Sequence, residues 1–322
     1  MTPGRFRAVI LDDGYASYDT ERAVLGAAGA EVVLRPCRGD ARRAREAVTD
    51  ADAVLVRETP VDAGVVAAMT RCRVIVRYGV GVDNVDLEAA RARRIPVANV
   101  PDYGVEDVSD HTVALLLAVA RRIVTRDRAV RAGAWGIGPA EPVHRVAGRV
   151  LGLIGYGRIG RAVHRKLGGF GLARVLVHDP FLDAAPPGVE LVDLERLVAE
   201  ADYVCLHCPL TPATHHLIDA PRLRAMKPTA ILVNAARGPI VDEAALVEAL
   251  REGRIFGAGL DVFEREPLPA HHPLRALDRV VLSDHTAWYS EESIADLQRK
   301  AAEEAARGLR GEPLRSWVNA WT

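Results

Sequence analysis

Three polar residues stand just past the ends of three apolar runs late in the chain. Arg237 follows Ala230 to Asn234, Glu266 follows Phe256 to Val262, and His285 follows Val280 to Leu282. An imidazole gives and takes protons near neutral pH. A carboxylate beside it favours its charged form and holds its orientation, and a guanidinium fork binds a carboxylate or polarises an oxo group. Together the three could interconvert a carbonyl and a carbinol. His285 would protonate the oxo oxygen, Glu266 would pair with His285, and Arg237 would hold the substrate. Each residue alone has a plainer reading as a turn or loop residue. What favours chemistry is that all three end apolar strands, because the strand ends of a parallel sheet point the same way and can surround one crevice.

A hydride for this chemistry calls for a dinucleotide, and Val150 to Pro180 has the pattern of a site for one. Val150, Leu151, Leu153 and Ile154 form a short apolar strand, and Gly155, Gly157 and Gly160 occupy the G-x-G-x-x-G positions of a tight strand-to-helix turn. The following helix spans Ile159 to Leu167, and glycines at 168, 169 and 171 break it. A second strand, Val175 to Val177, leads to Asp179. An acidic residue there accepts hydrogen bonds from an adenosine ribose diol and repels a 2'-phosphate, so the cofactor expected is NAD (as NADH) rather than NADP.

The rest of the chain alternates strand and helix, the signature of parallel α/β sheets. Strands are expected at 6–11, Glu31–Leu34, Ala53–Val56, Val74–Val76 and Val97–Val100, with helices at Thr20–Ala28, Arg38–Val48 and Asp62–Ala68. The loop Arg77 to Asp86 carries Gly79 and Gly81, whose backbone N–H groups suit a carboxylate. After a hinge at Pro101–Gly104, one helix from Val105 to about Ala132 is apolar all round in its middle, as expected of a helix that also joins two subunits. A helix at Leu191–Leu197, a strand at Tyr203–Cys208, a helix at Asp242–Arg251 and a long amphipathic helix at Ser290–Arg310 follow. The fold class is therefore α/β, with two Rossmann-like or flavodoxin-like parallel-sheet domains and a cleft between them. Residues 1–100 plus 291–322 form a flavodoxin-like substrate-binding domain. Residues 101–290 form the NAD-binding Rossmann domain, with 105–132 as its dimerisation helix.

The 322 residues suit two domains, and a net charge of -1 removes any bulk electrostatic case for nucleic acid or an anionic membrane. No apolar run approaches the ~20 residues that span a bilayer, and the stretch MTPGRFRAVILDDG lacks a leader's apolar core, so the expectation is a cytoplasmic protein. Cys205 and Cys208 form a C-x-x-C at a strand end, where i and i+3 face opposite ways; they read as small buried hydrophobes. His215-His216 and His271-His272 show no spacing that brings in a third ligand, so no metal is expected.

Asn234 to Asp242, Gly259 to Pro267, His285, the Gly79–Asn84 loop and the GYGRIG turn resemble the signatures of the D-isomer-specific 2-hydroxyacid dehydrogenases, over almost the whole chain. The resemblance implies that Arg237, Glu266 and His285 are the catalytic trio, that the Val80 loop helps bind the substrate carboxylate, and that Asp261 contacts the nicotinamide side of NAD. Arg158, Ile159, Cys208, Thr214, Ala235 and Ala236 join the candidate cofactor contacts, and Tyr78, Gly79, Val80, Gly81, Arg237 and Trp288 are the candidate substrate contacts. The run His285-Thr286-Ala287-Trp288-Tyr289-Ser290-Glu291 is similar to the C-terminal binding protein branch. There Trp288 would wall the pocket, which favours a 2-oxo acid with an apolar or thioether side chain. Two functions fit: an NAD-dependent oxidoreductase acting on a 2-oxo or D-2-hydroxy acid, expected as a homodimer, and an NADH-sensing dimeric regulatory protein of the corepressor type. A related phosphonate or formate dehydrogenase finds little support around His285.

Overall fold

The computed structural model describes residues 6–136, 138 and 142–321, so the first five residues of the N-terminal stretch lie outside it. In chain order the first elements are β1 (Phe6–Ile10), α1 (Asp19–Ala27), β2 (Ala30–Leu34), α2 (Ala41–Ala47), β3 (Ala53–Val56), α3 (Ala63–Ala68), β4 (Val74–Arg77), α4 (Leu87–Ala92) and β5 (Val97–Ala98). Next come α5 (Val105–Ala120), α6 (Ile123–Arg131), β6 (Val150–Ile154), α7 (Arg158–Leu167), β7 (Arg174–His178), β8 (Glu190–Leu191), α8 (Leu194–Glu200) and β9 (Tyr203–Leu206). The last are α9 (Ala220–Ala225), β10 (Ile231–Asn234), α10 (Glu243–Arg251), β11 (Gly257–Leu260), β12 (Val280–Leu282) and α11 (Glu291–Arg310). The chain divides into one unit of residues 1–104 with 290–322 and another of residues 105–289.

The first unit is built on a five-stranded parallel sheet in the order β2-β1-β3-β4-β5. Its central strands are buried on both faces, which is why they read as unbroken apolar runs rather than alternating ones. Asp12, just past β1, clasps the segment after β3: its Oδ2 accepts from Arg57 N at 2.7 Å and its Oδ1 from the Thr59 hydroxyl at 2.7 Å. The long helix α11 belongs to this unit. It begins with a reciprocal Ser290/Ser293 capping box and lays an alanine face, Ala301, Ala302, Ala305 and Ala306, into the core.

The second unit is a seven-stranded parallel sheet in the order β12-β11-β10-β9-β6-β7-β8. Strand order reverses between β6 and β9, and ligands of open α/β sheets bind outside the carboxyl ends of strands at such a switch point. Aspartates start most of the intervening helices. Asp193, Asp219 and Asp242 each accept a backbone N–H two or three positions into α8, α9 and α10.

Several elements depart from expectation for identifiable reasons. The single helix expected over 105–132 is two. Arg122 adopts a left-handed conformation (φ 52°) between α5 and α6, with its guanidinium 5.2 Å from the Phe256 ring and its Nε donating to Pro142 O at 3.3 Å. The segment expected to be a helix from Leu191 divides into the edge strand β8 and α8, because the Asp193 side chain caps at Arg196 N and starts the helix later. The six-residue helices α4 and α9 were not foreseen, although Asp86 and Asp219 cap them. The strands expected to end at Val100, Cys208 and Val262 stop at Ala98, Leu206 and Leu260, and irregular backbone follows each of these strand ends.

Candidate functional site

The dinucleotide turn sits at the switch point. Gly155 follows β6 with φ 90°, and a Cβ there would fall 2.7 Å from Cys208 N, so the β6 and β9 ends approach too closely for any side chain. A Cβ on Gly160 would fall 2.4 Å from Gly155 O, which holds α7 tight against the turn. At Gly157 the surroundings are open, with nothing within 4 Å of an added Cβ. Gly157 also starts α7 without a side-chain cap, leaving the first-turn N–H groups to other acceptors. His207 lies beside this turn: its backbone N donates to Ile154 O at 2.8 Å, and its buried Nε2 meets no hydrogen-bond partner among the described residues. Burial pulls the His207 imidazole down to about 4, so the ring is neutral.

Asp179 closes the far side of the turn. It stands past the end of β7, its Oδ2 accepting from Tyr156 N at 2.8 Å and its Oδ1 from Phe181 N at 3.0 Å. A cleared turn at Gly157, an uncapped helix N-terminus and a carboxylate at the next strand end fit a dinucleotide whose pyrophosphate rests on α7 and whose ribose meets Asp179. Arg158 is exposed and Ile159 half-buried in the first turn of α7. Farther along, Cys208 is half-buried, and burial raises its thiol to about 11. Thr214 spends its hydroxyl on its own loop, donating to Pro209 O at 2.6 Å and accepting from Thr211 N at 2.7 Å. Ala235 and Ala236 are half-buried past β10, with Ala236 N donating to Asn234 Oδ1 at 3.0 Å.

The polar trio stands at the same sheet edge, past β10, β11 and β12. His285 Nδ1 meets Glu266 Oε2 at 2.6 Å, while Glu266 Oε1 accepts from Phe263 N at 2.9 Å. Burial alone would raise the Glu266 carboxyl. The hydrogen bonds from His285 and Phe263 N–H and the charges of His285 and Arg237 outweigh it and hold the group below the ordinary range. Arg237 is half-buried and acts on Glu266 through its charge, and its Nη1 donates to Ala236 O at 2.7 Å. Gly238, next to it, is pressed against the 263–264 peptide: a Cβ there would fall 1.9 Å from Phe263 C.

His285 itself sits in a left-handed backbone conformation, φ 59°, which a histidine rarely adopts. The turn is held from behind. Asp261, 1% exposed, accepts from Thr286 N and Ala287 N at 3.0 Å each and from the Ser283 hydroxyl at 2.7 Å. His111 on α5 reaches Ser283 Oγ with its Nε2 at 2.8 Å. The Trp288 indole N–H donates to His285 O at 2.9 Å, so this tryptophan also braces the turn. Neither His111 nor Ser283 was singled out from sequence. His111 stands between Asp110 and Thr112, just ahead of the apolar run 113–120, with no local signal of its own, and only the packing of α5 on β12 shows its target.

In the first unit, Gly79 takes φ 137° after β4 and Val80 is 43% exposed. The loop is anchored by Val100 N to Gly79 O at 2.9 Å and Asn99 Nδ2 to Val80 O at 2.6 Å, and Gly81 is half-buried. Tyr78 departs from its expected place at a substrate. Its ring is 2% exposed and its hydroxyl donates to the buried Glu21 at 2.9 Å, because its alternation with Arg77 along the strand turns it inward.

His216, Asp242 and Glu264 bring their ligating atoms within 4.8 Å of one another. These groups are tied by hydrogen bonds: Glu264 Oε1 meets His216 Nε2 at 2.9 Å and Glu243 N at 3.1 Å, and Asp242 caps α10. The convergence depends on loops far apart in sequence, which no local spacing reveals. Cys205 and Cys208 are free, and burial pushes the Cys205 thiol up to about 12. Among the described residues no helix is long and apolar enough to cross a membrane.

Residues 113–287 match the family model described as D-isomer specific 2-hydroxyacid dehydrogenase, NAD binding domain. A glyoxylate reductase of Korarchaeum cryptofilum is 45% identical over 281 residues, covering 85% of this chain and 84% of that protein. A D-3-phosphoglycerate dehydrogenase of Mycobacterium leprae is 40% identical over 294 residues, 90% of this chain, which spans only 54% of that longer protein. Among solved structures, the TT0316 protein of Thermus thermophilus superposes with a TM-score of 0.88 at 40% identity, covering 97% of this chain and 99% of that one. The chain belongs to the D-isomer specific 2-hydroxyacid dehydrogenase family and carries that family's NAD-binding domain.

Proposed function

We propose that this protein is an NAD-dependent D-2-hydroxyacid dehydrogenase that interconverts a 2-oxo acid and a D-2-hydroxy acid, with Arg237, Glu266 and His285 as its catalytic trio. The observation that carries the reading is the 2.6 Å contact between His285 Nδ1 and Glu266 at the strand ends beside the dinucleotide turn. A carboxylate only accepts, so Nδ1 holds a proton and Nε2 is the ring nitrogen left to face a substrate. In the reducing direction the imidazolium gives its Nε2 proton to the oxo oxygen, and the resulting neutral ring stays oriented by Glu266. NADH, when bound, supplies the hydride that reduces the carbonyl carbon. The sum is 2-oxo acid, NADH and one proton giving the hydroxy acid and NAD. Arg237 holds the substrate carboxylate by a charge-assisted hydrogen bond.

The Trp288 ring beside His285 favours a substrate side chain that is apolar or a thioether. The exposed Ile123, Val130 and Trp135, on α6 and just past it, support a homodimer joined through the α5–α6 region. A second reading rests on the His285–Glu291 run: an NADH-sensing dimeric regulator of the C-terminal binding protein type. Steady-state NADH oxidation against a panel of 2-oxo acids, glyoxylate included, separates the two, with chiral analysis of the product and His285→Ala alongside. Saturable turnover to a D-product, lost in the variant, supports the dehydrogenase. Tight NADH binding that shifts the oligomer while no acid turns over refutes it and leaves the regulator.

A further inference from the structure

The catalytic turn is braced by a chain of polar groups ending on a helix outside the proposed trio. Asp261 accepts from Thr286 N and Ala287 N, the two amides that immediately follow His285, and its backbone carbonyl accepts from His285 N at 2.8 Å. Ser283 Oγ donates its one hydrogen to Asp261 Oδ1 at 2.7 Å, so it can only accept from the nitrogen on its other side. That nitrogen is His111 Nε2, at 2.8 Å, and it lies 3.5 Å from the same Asp261 oxygen. Hydrogen counting therefore fixes the tautomer: His111 presents Nε2–H.

Resting on the dehydrogenase reading above, we infer that His111 is a positioning residue for proton transfer: through Ser283 it fixes the Asp261 carboxylate that pins the left-handed turn carrying His285. A non-glycine residue at φ 59° persists only where its surroundings hold it there. Here the hold is a buried carboxylate with three donors from the segment 283–287. His111 sets where that carboxylate sits relative to α5. If the relay slackens, the His285 ring drifts while Arg237 and the glycine turn stay in place, so the loss falls on the chemical step rather than on substrate binding.

The test compares His111→Phe, which keeps a ring and removes the donor, with His111→Gln, which keeps a donor near the Nε2 position. Two readouts are taken on the full chain: amide hydrogen exchange at Thr286 and Ala287, and kcat and KM for the best 2-oxo acid of the panel. The Phe variant is expected to exchange at these amides about five- to tenfold faster and to lose kcat by a similar factor, with KM within about twofold. The Gln variant is expected to recover most of both. Unchanged exchange and kcat in the Phe variant overturn the inference, as does a Gln variant as impaired as Phe. If the Phe variant does not fold, Ser283→Ala takes its place under the same criteria. If the wild-type protein turns over no 2-oxo acid, the dehydrogenase reading fails, and the exchange arm still decides the role of His111.

Discussion

Replacing Gly238 with alanine isolates the positioning of the proposed catalytic carboxylate. The added Cβ would lie 1.9 Å from Phe263 C and 2.0 Å from Phe263 O, whereas ordinary contact begins at 3.4 Å. The difference, 3.4 less 1.9, requires the 263–264 backbone to retreat by about 1.5 Å or the Arg237–Gly238 segment to move by as much. Neither moves freely. Phe263 N is bonded to Glu266 Oε1, and Glu264 is tied to Glu243 and His216. The retreat therefore pulls Glu266 from its 2.6 Å contact with His285. Misplacement of a catalytic group by ~1 Å costs ~10²-fold in rate, and kcat/KM is expected to fall by about that factor. Overpacking of this kind destabilises by about 1–3 kcal/mol, which in a unit of this size lowers Tm by roughly 2–12 °C. The assay is NADH-linked turnover of the preferred 2-oxo acid beside thermal denaturation of the same preparation. A variant with wild-type Tm and kcat/KM within threefold would falsify the claim that close packing at Gly238 places Glu266.

Gly157→Ala should behave in the opposite way, because the surroundings of its added Cβ are open. It is expected to keep the wild-type Tm and to weaken NADH binding by about tenfold or more where the backbone must approach a pyrophosphate; nucleotide fluorescence titration reads this, and unaltered affinity would show that the pyrophosphate lies elsewhere. Asp50 gives a pH prediction. Hydrogen bonds from Arg35 and Arg7 hold its carboxyl at about 2 despite some burial. A folded value below the ordinary one means that the pairing stabilises above about pH 4, weakens as pH falls, and is gone below about pH 2. The stability difference between wild type and Asp50→Asn should shrink across that interval in acid titrations followed by circular dichroism, and a constant difference would contradict the pairing. Cys205, its thiol raised to about 12 by burial, should resist a maleimide in the native protein and react on unfolding, as quantified by mass spectrometry.

Features that depend on neighbours in sequence were legible before the structure. The glycine turn is written in the spacing of Gly155, Gly157 and Gly160, since turn and close approach are local demands on the backbone. Buried parallel strands announce themselves as short apolar runs, and aspartates before helices act on amides two or three positions away. The candidate trio was placed for the same reason: Arg237, Glu266 and His285 each follow a recognisable strand. Boundaries were less so. Arg122 stops a helix that local propensity would continue, because Phe256 in a distant segment offers its ring to the guanidinium.

Only the tertiary structure decided which of these residues meet. The order β12-β11-β10-β9 sets the ends of three strands side by side, and from it follow the His285–Glu266 contact and the turn held by Asp261. His111 and Ser283 lie 172 positions apart, and Tyr78 turns inward to Glu21 across 57. Such pairs are chosen by strand order and helix packing, which collect small contributions from the whole chain. No short window of residues contains the information that selects them.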